Sequence, residues 1–321
     1  MDAFPHLAEL LSDVRVHPGT RGARVGDRDI TADTAGRLRQ KLITALYETF
    51  HVGHAFAEER PRTYRDPLFE ELLGAATPHD TTMAAARLDG DGLVLVDGVR
   101  VRVPEPDVVG PRVRMPARRP GLSPGFFLVD GSRGHSSRRP LLRVYVHLRT
   151  PEEAVRTWGE VLRALERDGV PYRAKVTSSR RLFPRRDGLV VYLGEDAWHG
   201  ASVVADAVPR PDAPRLTAPT SSFARELAPG IAIAWEPEDT RPGMRGMSFG
   251  QHRAAAVADA LLAHAAGSGR TLDDCLREQL TAANIDHEAL YRNANSPRLP
   301  EVAHSTSRSR AIPERNGGQP S

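Results

Sequence analysis

Of the 44 basic residues in this chain, only Lys41 and Lys175 are lysines. Arginine elsewhere supplies whatever a fixed positive charge can supply. It keeps its proton near neutral pH, whereas a lysine can lose one where its surroundings favour the neutral amine. A lysine in such a chain is therefore a candidate for proton chemistry. Lys41 falls among Arg37, Arg39 and Gln40, off the apolar stripe of its segment, and reads as a solvated surface residue. Lys175 lies in an alternating stretch, with Arg173, Lys175 and Thr177 on one side and Tyr172, Ala174 and Val176 on the other. Upstream, Leu141 to Leu148 alternates as well: Arg143, Tyr145 and His147 against Val144, Val146 and Leu148. A helix covering the apolar sides would gather Arg143, His147, Arg173 and Lys175 on one surface. An ordinary sheet with one solvated face would show the same alternation.

A cationic face with one lysine and one histidine suits β-elimination of a phosphate ester. That reaction needs a base for the Cα proton, an acid for the leaving oxygen, and cations for the phosphate. Lysine serves as base when burial and neighbouring arginines favour its neutral form. Histidine is readily charged and discharged near neutral pH. Arginine forks match phosphate oxygens. No metal is required.

The elements that must position these groups are legible around them. Thr150-Pro-Glu-Glu153 is a capping signature with proline at the first helical position, and the helix it opens runs to Asp168-Gly169. With strands at 141–148, 172–177 and 188–193, the middle of the chain reads strand–helix–strand–strand. Further strands are expected at 125–129 and 231–235, and helices at 248–266 and 272–283. Leu93 to Val103 reads as a hairpin turning at Asp97-Gly98. Residues 104–124, with six prolines, read as a loop, and the polar run 131–140 as mobile. The fold class is α+β: a twisted mixed sheet flanked by helices. Residues 1–85 form an N-terminal helical region on the spacing of Phe4, Leu7, Leu10 and Leu11 and of Leu38, Leu42, Ile43, Leu46, Tyr47 and Phe50. Residues 86–301 form the α+β domain, and 302–321 a disordered tail.

Other chemistries find little support. The single Cys275 excludes an internal disulfide and a multi-thiolate zinc site. No phosphate-cradling glycine loop, dinucleotide fingerprint, zinc-protease helix or nucleophile elbow is present. His51 and His54 lack further metal ligands, and Glu236 with Glu238 is a weak acid–base pair. A net charge of +3 gives no polycation for nucleic acid, no stretch is long and apolar enough for a membrane span, and the chain is expected in the cytoplasm. Arg180, Arg181, Arg185 and Arg186 read as a basic loop. Ser248 reads as the cap of a helix whose amides would favour an anion.

Four blocks follow one another in order: Arg143-Val-Tyr-Val-His147, Val-Pro-Tyr-Arg-Ala-Lys175-Val, Arg186-Asp-Gly-Leu-Val-Val-Tyr192-Leu, and Ser248-Phe-Gly-Gln-His-Arg253. In them the chain, over roughly residues 90–285, resembles the HopA-type effector family. That family includes lyase components of thioamitide and class V lanthipeptide biosynthesis, similar in chemistry to the phosphothreonine lyases that bacterial pathogens inject into host cells. The resemblance implies elimination of phosphate from a precursor peptide first phosphorylated on serine or threonine by a separate kinase. It implies Lys175 as general base, His147 as general acid, and Arg186, Arg253 and, on a looser pattern, Arg245 as phosphate ligands; Arg143, from the shared cationic face, is expected to join them. Arg173, Tyr145, Arg181 and Gln251 would line the substrate site, without metal or cofactor. The N-terminal region would bind a leader peptide or the kinase. A non-catalytic phosphopeptide- or leader-binding subunit is the competing expectation. An arginine would serve such a binder at position 175.

Overall fold

In the computed structural model, residues 5–299 are described except 18, 20, 55–64, 90–92, 97, 105–106, 120, 137, 210–218 and 268. Phe4, Asp97 of the hairpin turn and the tail 302–321 lie outside the described residues.

The N-terminal part opens with α1 (Pro5–Leu10) and an antiparallel meander of β1 (Val14–Val16), β2 (Gly22–Val25) and β3 (Arg28–Thr31). Then come α2 (Ala35–Leu46), a π-helix (Tyr47–Val52) and α3 (Pro67–Ala76). The meander departs from the all-helical expectation for this region. Its strands are three or four residues long, too short for alternation to stand out from helical spacing. Two small antiparallel sheets follow. One joins β4 (Thr81–Ala85), β9 (Arg112–Pro116) and β8 (Val108–Val109); the other joins β5 (Arg87–Leu88), β6 (Leu93–Val96) and β7 (Val99–Arg102). Residues 104–124 are therefore not all loop. Val113 packs inward beside Val94 and Val96, which gives the proline-rich stretch a strand.

The central sheet has six strands. They are β10 (Phe126–Asp130), β11 (Leu142–Leu148), β12 (Arg173–Thr177), β13 (Arg185–Leu193), β14 (Arg225–Ala228) and β15 (Ile231–Trp235), in the spatial order β10-β12-β13-β11-β15-β14. The α+β class holds, but the sheet is antiparallel throughout rather than mixed. The strands joined by the crossover helix α4 (Pro151–Arg167), β11 and β12, do run in the same direction. β13 inserts between them and makes both contacts antiparallel. The chain also contains α5 (Gly200–Ala207), α6 (Phe249–Ala265) and α7 (Leu272–Ala282).

Both sheet faces are covered. α4 starts at Thr150, whose side chain accepts from Glu153 N at 3.2 Å, and its apolar stripe (Ala154, Trp158, Val161, Leu162, Leu165) buries Val144, Val146, Ala174, Val176, Leu189 and Val191. The other face meets α2, the π-helix and α6, in one core that joins Leu38, Leu42 and Leu46 to Tyr145, Val190, Phe249 and Val257. The polar sides of β11 and β12 are thus largely enclosed rather than solvated. The run 131–140, expected to be mobile, is tied down where it is described. The Ser132 amide donates to Glu166 at 2.9 Å, and the Tyr172 amide donates to Gly134 O at 3.1 Å.

Candidate active site

Register aligns Tyr145, Val190 and Lys175 across β11, β13 and β12, and Arg143, Tyr192 and Arg173 one step along. Parity therefore places Arg143, Tyr145, His147, Arg173 and Lys175 on one face, as the alternation predicts. β13 lies between the two strands, so Lys175 and His147 stand about two strand spacings apart, roughly 10 Å sideways. The pairing slips beside His147: Val146 opposes Leu189, yet Leu148 opposes Arg185. Three residues, Arg186–Gly188, stand opposite His147 alone, so the strand bulges next to the histidine. Bulges of this kind re-aim side chains and often flank active sites.

Lys175 lies between aromatic rings. Its Nζ is 4.2 Å from the centre of Phe126 and 5.8 Å from that of Tyr192, and 3.5 Å from Ser123 Oγ. The guanidinium of Arg185 lies over the same Phe126 ring at 5.1 Å. Arg185 is buried and forks onto Asp187 at 2.8 and 2.9 Å, with Tyr47 Oη at 3.3 Å. Burial alone would lower the Arg185 pKa and raise that of Asp187. Their mutual attraction wins in both, so the pair stays charged.

His147 is nearly buried, with Nδ1 3.0 Å from Pro219 O. A carbonyl only accepts, so Nδ1 carries the proton and Nε2 is the nitrogen left for a second proton. In the bulge, Arg186 is half-buried. Its Nη1 donates to Thr49 O at a long 3.4 Å, and its buried Nε has no hydrogen-bond partner. Desolvation pushes its pKa down.

Most of the other residues expected in the site are held by partners within the fold. Arg143 is ion-paired with Glu236, whose carboxylate is held below its usual range by that guanidinium despite burial. Arg173 forks onto buried Asp130 at 2.6 and 3.1 Å. Arg253 is fully buried in α6, and four of its five N–H groups are engaged. Nε donates to Leu290 O, Nη1 to His252 Nδ1, and Nη2 to Arg292 O and Asn293 Oδ1, at 2.7–3.2 Å. It staples the 290–293 segment to α6 and has no fork left for phosphate. Gln251 closes the capping box with Ser248, occupying the helix start expected to attract an anion. Tyr145 is buried against Phe249, its hydroxyl 3.4 Å from Arg143 Nη1. Arg181 and Arg245 are exposed, and among the described residues no contact ties them to Lys175.

Sequence reasoning missed Arg185, Asp187, Tyr47, His51, Phe126 and Tyr192 as parts of the site. Parity along the strand would put Arg185 and Asp187 on the α4 side with Leu189 and Val191, and only the slip of register beside His147 lets them reach the polar face, so alternation could not have found them. Tyr47 and His51 come from a π-turn, which periodicity at 3.6 residues does not reveal. Among the described residues no cluster of histidine, cysteine and carboxylate could hold a metal ion, and no helix is long and apolar enough to cross a membrane.

The sheet enclosed by helices thus carries a lysine and a bulge-flanked histidine on its inner polar face. The model of the HopA1 effector protein family matches residues 117–292, more than half of the chain, and the chain belongs to that family. Two solved structures of effector proteins from Pseudomonas syringae are similar. That from pv. tomato strain DC3000 has 14% identity and a TM-score of 0.48, over 82% of this chain and 91% of its own. That from pv. syringae strain 61 has 13% identity and a TM-score of 0.47, over 81% and 92%. No curated protein matches.

Proposed function

We propose that the protein is a phosphoserine/phosphothreonine lyase acting on a peptide, with Lys175 as base and His147 as acid. One observation carries the reading. On a face where Arg143, Arg173 and Arg185 each form an ion pair with a carboxylate, Lys175 makes none among the described residues, and Asp187 and Glu236 feel its charge only at longer range. Its direct contacts are two aromatic rings and a serine hydroxyl. A purely structural cation would be paired like its neighbours, and a charge-only role would suit arginine.

In this mechanism the Lys175 amine takes the Cα proton of the phosphorylated residue. The Cβ–O bond breaks as the Cα–Cβ double bond forms. Protonated His147 gives its Nε2 proton to the departing oxygen, releasing inorganic phosphate and a dehydroamino acid. Arg186, with its unpartnered Nε, and the His147 imidazolium hold the phosphate; Arg185 fixes the Phe126 side of the pocket. No cofactor takes part. The substrate is a precursor peptide phosphorylated by a separate kinase.

The test is mass spectrometry of a phosphothreonine peptide incubated with the pure protein. Loss of phosphoric acid without added metal supports the lyase. Tight binding of intact phosphopeptide without turnover supports the binding subunit instead.

A further inference from the structure

The family match begins at Ala117, yet the candidate site is closed by a side chain from far upstream. His51, on the π-helix, is 2% exposed. Its ring stands edge-on to Tyr145, with centroids 5.2 Å apart, and tilted against Phe249 at 5.8 Å. α6 passes so close that a Cβ on Gly250 would lie 2.2 Å from His51 Cδ2. Phe249 and Gly250 of the Ser-Phe-Gly-Gln-His-Arg block thus hold an imidazole in place.

The ring has two polar ends, and each meets a different half of the site. Nδ1 lies 2.8 Å from Ser221 Oγ, which also accepts from Phe223 N at 3.3 Å; with the Nε2 side turned to a carboxylate, Nδ1 is the ring's acceptor and the hydroxyl donates to it. Ser221 is two residues beyond Pro219, whose carbonyl holds His147. The same segment is tied to the π-helix by Ser222 N donating to Phe50 O at 2.8 Å. At the other end, Nε2 faces Asp187 Oδ2 at 3.7 Å, and Asp187 holds Arg185 beside Lys175. Burial pushes the His51 pKa down to about 4, so the ring is neutral between them. Ser221, His51 and Asp187 could be read as a nucleophilic trio, but all three are at most 4% exposed, and a nucleophile must meet its substrate.

We propose that His51 is a positioning residue for the elimination, holding the Pro219–Ser221 segment, and through it His147, in register with the Arg185–Asp187 pair beside Lys175. This rests on the lyase reading. It gives the N-terminal region a part in the chemistry: completing the site rather than only recruiting a leader peptide or a kinase.

The test compares kcat, KM and melting temperature for a phosphothreonine peptide in four proteins. His51→Leu fills the space without polar ends, and its kcat should fall about 100-fold, the scale of an ångström-sized misplacement. KM should stay within a few fold. His51→Asn, whose amide can stand where Nδ1 stands, should recover part of the loss. Ser221→Ala, which leaves the ring in place, should lower kcat in the same direction by less. Wild-type kcat in His51→Leu overturns the proposal, as does a loss that follows melting temperature and is equal in the leucine and asparagine variants. Absence of wild-type turnover appears before any substitution is made; it overturns the lyase reading and this proposal with it.

Discussion

Two arginines from the same set of motifs have opposite fates. Arg253 in α6 spends four N–H groups on protein acceptors and lies fully inside. Arg186 in the β13 bulge keeps a buried Nε without a partner and one long contact. On motif alone both read as phosphate ligands. The difference shows that an arginine binds a ligand only where the fold leaves it donors to give. A satisfied buried arginine belongs to the structure.

Substitutions can break that comparison. The largest effect is expected for Arg253→Met. It strands the carbonyls of Leu290 and Arg292 and removes the partner of His252 Nδ1, and each buried acceptor left without a donor costs about 1–3 kcal/mol. Denaturant melts should show it, while any variant that folds should bind phosphopeptide normally. Selective loss of phosphopeptide binding in a stable variant would return Arg253 to the site.

Next comes acid. Burial pushes both His51, at the site, and His252, at the staple, down to about 4. The unfolded chain binds protons on these groups from about pH 6.5 downward, the folded chain only near 4. Stability is therefore present at neutral pH and lost as pH falls through that window, by about 3 kcal/mol per histidine at most. Thermal melts of His252→Asn between pH 7 and pH 4 should be flatter than those of the wild type. Here the two regions behave alike, and an unchanged slope would separate them.

Arg186→Met should leave stability nearly unchanged, because it removes an unpartnered buried polar atom. Phosphopeptide affinity should fall by about 1.5–3 kcal/mol, roughly tenfold to a hundredfold, in a fluorescence titration. The smallest effect concerns the support of Arg186. At Gly53, with φ +100°, an added Cβ would lie only 2.6 Å from Arg186 Nε. Gly53→Ala should cost about 1–2 kcal/mol of stability through backbone strain and weaken phosphopeptide binding by displacing Arg186. Unchanged binding would detach the bulge from the site.

The α4 face of the sheet was readable because apolar alternation and a capped amphipathic helix are local signals. The strands carrying Lys175 and His147, the crossover helix and the shared polar face follow from residues 141–177 alone. The other face was not readable in the same way. Whether Arg143 meets a phosphate or Glu236 depends on a pairing across 93 residues. Whether Arg173 is free depends on Asp130, 43 residues upstream. Arg185 and Arg186 looked alike in a basic loop, and only the slip of register beside His147 sends one under Phe126 and the other toward Gly53. The scarcity of lysine was the one compositional signal that pointed to a side chain whose surroundings prove unlike those of its neighbours.

The central claim is that Lys175 removes a proton rather than supplying charge. Its most direct test is elimination from a phosphothreonine peptide by the wild type and by Lys175→Arg, followed by mass spectrometry alongside phosphopeptide affinity. The predicted result is dehydrobutyrine and inorganic phosphate from the wild type, and turnover lower by about 10²–10⁴-fold in the variant, with affinity within a few fold. Full lyase activity in Lys175→Arg would contradict the account.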